Sequence, residues 1–240
     1  METKEDFENV PRLLEGLRNA RAKLEPLFAE KVAKALGQKG QQSVILECAR
    51  RGEKTGFQLK DDRLVRQILW FFHDKAVKAD FENVETAKAL KWSEQLFELL
   101  ELSGNKVSEK GAAVPKIQAH NVGVLLSLAA KNAQDGKDVD GKVEKYAKRL
   151  LATDLNIAEP ETPRANSLWL AQTFPLVFGI KNAVEILGSN STTGQQLQSA
   201  GNQLQAKVDK YFSEYNEVQK STGAQRSPSA LLYDRYHVSS

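Results

Sequence analysis

Apolar residues between Gln118 and Thr153 recur at helical spacing in two runs. Val122, Leu125, Leu126, Leu128, Ala129, Ala130 and Ala133 make the first, Asp135-Gly136-Lys137-Asp138 interrupts it, and Val143, Tyr146, Ala147, Leu150 and Leu151 resume it. So short a connection forces the second helix back against the first, which predicts an αα-hairpin with both stripes buried between its helices.

The same plan recurs elsewhere. Val10 to Leu36 is predicted helical, with Leu13, Leu14, Leu17, Leu27, Phe28 and Val32 on its apolar face, a kink or split at Pro26, and Gly37 as its stop. A short helix is expected over Gln41–Arg51, followed by a polar loop from Gly52 to Gly56. Asp61-Asp62 should cap a helix from Arg63 to Ala79, which a turn at Asp80–Asn83 joins to a returning helix over Val84–Leu102. Ser103–Pro115 and Thr153–Pro163 read as linkers. Asn166–Leu187 is apolar nearly all round, with Pro175 and Gly179 as bend points, and Gln195–Lys220 carries Leu197, Leu204, Val208, Tyr211, Phe212 and Tyr215 on one face. No window alternates as a strand does. The expectation is an all-α chain of stacked antiparallel helix pairs, solenoid-like or an irregular right-handed array. It is divided into an N-terminal helical region (1–56), a hairpin array (57–220) and a Ser-, Gly- and Pro-containing tail (221–240).

The stretch LLSLAAKNAQDGKDVDGKVEKYAKRLLATDLNIAEP, which begins at Leu125, resembles a tetratricopeptide unit. Ala129 follows Leu128 as the small residue, Gly136 stands in the turn, Tyr146 and Leu150 lie in the second helix, and Asp154 closes it. An aromatic opening residue is missing, and the other hairpins lie too far away for a repeat of about 34 residues. The resemblance implies helix pairs stacked side by side and, by analogy, a role in binding protein segments.

Composition narrows the function classes. Hydrophobic residues at 41% and charged residues at 27% suit a globular chain, and 34 Lys and Arg against 31 Asp and Glu leave a net charge of only +3, too weak to argue by itself for nucleic acid or membrane. A single cysteine, Cys48, excludes an intramolecular disulfide and a cysteine-rich zinc site. The acidic start, Met1 to Asp6, lacks the pattern of a secretion signal or organelle presequence. Leu168–Ile180 is too short to span a bilayer. The expectation is an intracellular chain with no membrane insertion, in the cytoplasm, or in an organelle matrix if a presequence has been removed.

Candidate chemistry is sparse. His73, His120 and His237 stand in different elements without a partner at metal-ligand spacing, so no metal is expected. Cys48 beside Arg50 and Arg51 could be activated, but a buried thiol is the preferred reading. Asp138 and Asp140 stand where helix starts collect carboxylates, and capping accounts for them. No phosphate-cradling glycine motif occurs, and no cofactor is expected. Two groups remain as candidate surfaces. Arg12, Arg18, Arg21, Arg50, Arg51 and Lys54, with Phe57 in the same region, would contact phosphate if folding gathered them. Leu231, Leu232, Tyr233 and Tyr236 form an apolar tail that would lie against this chain or a protein partner.

The main reading is a non-catalytic, helical-repeat-like adaptor or structural subunit that binds protein partners. Two alternatives stand beside it. One is a ribonucleoprotein subunit, as of an organellar ribosome, with RNA contacts from the basic N-terminal region. The other is an α-helical enzyme with a pocket between the Arg63 and Asn166 helices, using His73 or His120.

Overall fold

Helices form wherever the apolar spacing is helical, and Pro26 and Pro163 open two of them. The computed structural model describes residues 3–22, 26–109, 117–133, 136–188, 190–222 and 233, among which there are eleven α-helices and no strand. They are α1 (Lys4–Glu8), α2 (Val10–Asn19), α3 (Pro26–Gln38), α4 (Gln42–Arg50), α5 (Gly52–Thr55), α6 (Asp62–Lys78), α7 (Asn83–Glu109), α8 (Ala119–Asn132), α9 (Lys142–Leu151), α10 (Pro163–Leu187) and α11 (Thr192–Thr222). No described helix is long and apolar enough to cross a membrane. The helices group into two compact units, Met1–Lys116 and Ile117–Ser240.

In the first unit α6 is the central element. Leu64, Val65, Ile68, Leu69, Phe71, Phe72, Ala76 and Val77 are all buried, and α6 packs on α3, α4 and α7. The Asp61 carboxylate opens α6 as its cap, accepting from the Arg63 amide at 2.9 Å. Pro26 splits the first predicted helix rather than bending it, and α3 begins there. The split changes which face is buried. The α2 helix buries Val10, Pro11 and Leu14, and α3 buries Ala29, Ala33 and Leu36, whereas Leu13, Leu27 and Phe28, read as core, are exposed. The α3 helix ends at Gln38, one residue past Gly37, and the Phe71 ring lies so close to Gly37 that a Cβ there would stand 2.3 Å from it. The expected polar loop at Gly52–Gly56 contains the single turn α5, held by the buried Thr55 hydroxyl, which accepts from the Phe57 amide at 3.2 Å and lies 3.0 Å from the Cys48 carbonyl. The α7 helix runs on to Glu109, beyond the expected end at Leu102.

The second unit is two helix pairs. The α8–α9 pair is the predicted hairpin, and Asp138 caps α9 by accepting from the Val143 and Glu144 amides at 2.9 and 2.8 Å. The α10 helix then packs on α8 and α11. His120 stands near Thr173, Gly123 near Leu176 and Ser127 near Gly179, so α8 and α10 run in the same direction. Asn166 meets Glu214, and Ile180 meets Gly201, so α11 returns antiparallel to α10. First helices of successive pairs lying parallel is the stacking implied by the tetratricopeptide resemblance. The 154–162 connection is tied down at one end. Trp169 donates its indole N–H to the Ala158 carbonyl at 2.8 Å, and Glu159 accepts from the Tyr211 hydroxyl and pairs with Lys207 at 3.4 Å.

Candidate nucleic-acid interface

Three helices bring the basic N-terminal residues into one region. Arg12 and Arg18 lie one turn before and one turn after Glu15 on α2. The Glu15 carboxylate meets Arg51 Nη2 at 2.9 Å, and Arg51 is the residue that joins α4 to α5. That ion pair lies where α2 packs on α4 and α5, so the helices that carry Arg12, Arg18, Arg50 and Lys54 meet there. Arg51 also pairs with Glu47 at 3.8 Å, and Arg50 lies 3.9 Å from the same carboxylate. Arg51 therefore acts as a pin between helices. Arg12, Arg18, Arg21 and Lys54 are exposed and form no ion pair among the described residues.

The surroundings make this region more cationic than the whole chain. Between Arg12 and Arg66 there are thirteen Lys and Arg against seven Asp and Glu, while the rest of the chain is nearly balanced or acidic. Some of the local charge is neutralised. Arg63 pairs with Asp61 at 3.3 Å and Glu30 at 3.8 Å. Burial works to raise the Asp61 carboxyl, but hydrogen bonds from the Arg63 amide and guanidinium outweigh it and hold the group below its ordinary range. Phe57, read as an aromatic within this surface, is fully buried and packs the core instead, because Thr55 and the α5 turn direct it inward. It offers no ring for a base to stack on.

The other candidates are drawn into packing. His73 is buried on α6 against the Phe81 ring, and desolvation pushes its pKa down to about 3, so it is neutral at physiological pH. His120 Nε2 lies 3.4 Å from the Thr173 hydroxyl between α8 and α10. Burial pushes the Cys48 thiol up to about 12, with Glu47 adding to the rise and Arg51 opposing it, so the neighbouring cations do not activate it. Cys48 should resist aromatic disulfide reagents in the native chain and react once the first unit is unfolded; rapid native labelling would contradict its burial. In the tail, Tyr233 stacks on Phe212 with ring centroids 3.6 Å apart, approaches Phe174, and donates its hydroxyl to Asp209 Oδ1 at 2.9 Å. Leu231, Leu232, Tyr236 and His237 lie outside the described residues.

A family model described as mitochondrial ribosomal protein mS27 matches residues 1–235. The chain belongs to the mS27 family. It also resembles the small ribosomal subunit protein mS27 of Neurospora crassa at 25% identity, over 61% of this chain and 42% of that protein, so it spans less than half the length of that relative. A ribosomal family agrees with a non-catalytic chain and sets aside the enzyme alternative built on His73 and His120. Of the remaining readings, the ribonucleoprotein alternative fits an mS27-family chain better than the main reading of a helical-repeat-like adaptor or structural subunit that binds protein partners. The tetratricopeptide resemblance in this mS27-family chain is therefore one of helix-pair architecture, as α8–α9 displays it.

Proposed function

We propose that this chain is a structural component of the small subunit of a mitochondrial ribosome, working in the mitochondrial matrix and binding ribosomal RNA and neighbouring proteins without catalysis. The observation that carries the reading is the match of the mS27 model to nearly the whole chain. The exposed cations of the first unit support the RNA part of it. Arg12, Arg18, Arg50 and Lys54 are exposed on helices that meet at the Glu15–Arg51 ion pair, and phosphate contact by them would release condensed counterions. The stacked pairs of the second unit offer long helical faces to protein neighbours.

The test is binding of a labelled RNA stem-loop as a function of salt. The wild-type chain should lose affinity steeply between about 50 and about 200 mM salt. Replacing Arg12, Arg18, Arg50 and Lys54 together by Gln should flatten the logarithmic salt dependence by roughly 3 to 4, at about 0.9 per phosphate contact. The same variant should leave the α-helical circular dichroism unchanged, since all four side chains are exposed. A wild-type chain that neither binds RNA at low salt nor co-sediments with small ribosomal subunits would overturn the proposal.

A further inference from the structure

Eight described residues have positive φ, and five of them are glycines: Gly40, Gly56, Gly136, Gly141 and Gly188. The exceptions are Arg21 (φ 61°), Asp80 (φ 50°) and Phe81 (φ 55°). Two of these have local reasons. Aspartate is among the residues that tolerate the left-handed region. Phe81 follows Asp80 in the Schellman-type end of α6, its N–H donating to the Ala76 carbonyl at 2.8 Å and its ring lying edge-on to the buried His73 at 5.8 Å.

Arg21 is different. It ends α2 in a Schellman arrangement, its own N–H donating to the Arg18 carbonyl at 2.8 Å and the Ala22 N–H donating to the Leu17 carbonyl at 2.9 Å. The left-handed residue of that motif is normally glycine, because a Cβ is strained there. Arg21 is exposed, and no ion pair or ring contact among the described residues rewards the strained backbone. It stands one turn beyond Arg18, on the helix that Glu15 and Arg51 pin to the α4–α5 junction.

We infer that Arg21 is an RNA-backbone contact, a guanidinium held out from the end of α2 by a left-handed cap to grip a phosphate. The inference rests on the RNA reading above and deepens it to one residue. Phosphate suits a guanidinium because two parallel N–H groups match two phosphate oxygens. The cap fixes the base of the side chain, so less freedom is lost when the contact forms. An outlier backbone at an exposed arginine, with no ion pair or ring contact among the described residues, motivates a functional reading of this residue.

The experiment compares Arg21→Gly, Arg21→Asn and Arg21→Lys in the full chain, reading both melting temperature and the salt dependence of binding to the RNA stem-loop. Glycine and asparagine both accept the left-handed backbone, so melting should be unchanged or raised by a few degrees. Binding should nonetheless weaken several-fold, and the salt slope should fall by about one. Lysine keeps the charge and so keeps the slope, while losing the paired hydrogen bonds and part of the affinity. A cation near a helix C-terminus also complements the helix dipole, but that effect is read in the melting temperature and leaves the salt slope alone. If the wild type binds RNA steeply with salt and Arg21→Asn binds identically, this inference is overturned and the RNA reading stands. If the wild type shows no salt-dependent binding, both fall together.

Discussion

Replacing Gly179 by alanine should destabilise the second unit by about 3 kcal/mol, the upper end for forcing one extra carbon into a packed contact, and valine there should prevent its folding. A Cβ on Gly179 would stand 2.7 Å from the Ser127 nitrogen and 2.9 Å from the Gly123 carbonyl oxygen, and both are backbone atoms that no rotamer change can move aside. The opposing surface is equally bare, since a Cβ on Gly123 would lie 2.7 Å from the Leu176 Cα. These two glycines let α8 and α10 approach backbone to backbone, and ten consecutive residues of α8, 121–130, are buried in consequence. Gly16→Ala is the control. Nothing lies within 4 Å of that Cβ, so alanine should be neutral or stabilising by up to about 1 kcal/mol. Thermal unfolding followed by circular dichroism and by Trp169 fluorescence separates the cases. A Gly179→Ala chain as stable as wild type would mean that α8 and α10 are not in this contact.

Acidification should unfold the first unit from a pH well above the carboxylate range. His73 has a folded pKa near 3 and an ordinary value of 6.5, because burial disfavours the imidazolium. The unfolded chain therefore binds a proton that the folded chain refuses. The stability is fully present above about pH 6.5 and declines as pH falls toward 3, at about 1.4 kcal/mol for each pH unit inside that window. Glu85 adds a loss in the same direction at lower pH, since hydrogen bonds from Lys88 and Lys75 hold its carboxylate below the ordinary range. The pH interval separates the two, because carboxylates contribute little above about pH 5. His73→Leu removes the titrating group at similar volume, so its stability should be flat between pH 7 and 5 whatever its absolute value. Denaturant unfolding followed by Trp70 and Trp92 fluorescence measures this. Equal slopes in wild type and His73→Leu would show that His73 is not the group responsible.

Much of the architecture was readable because helix period, proline and capping are local properties. The α8–α9 hairpin, the Asp61 and Asp138 caps and the α11 stripe are set by residues within a few positions of one another, and the hydrophobic spacing states them directly. Errors arose where a distant group intervened. Gly37 was legible as the end of a helix, which closes one residue later, but its close packing against the Phe71 ring was not. The polar string Gly52–Gly56 becomes a helical turn as the buried Thr55 hydroxyl bonds back to the Cys48 carbonyl of α4. Leu13, Leu27 and Phe28 fit a stripe whose axis Pro26 breaks.

The candidate surface divides in the same way. The basic residues could be picked out one by one, since their charge is a property of composition. Which of them remain available is a tertiary matter, because it depends on Glu15 reaching Arg51 across 36 positions and on Phe57 turning inward. The strained cap at Arg21 has no signature in residue type at all. Sequence by itself determined an all-helical chain, where most of its helices lie and which residues carry charge. Only the folded arrangement decided which apolar stripes met, which glycines stood between backbones and which cations were drawn into ion pairs, because each depends on groups far apart in the chain meeting at contact distance.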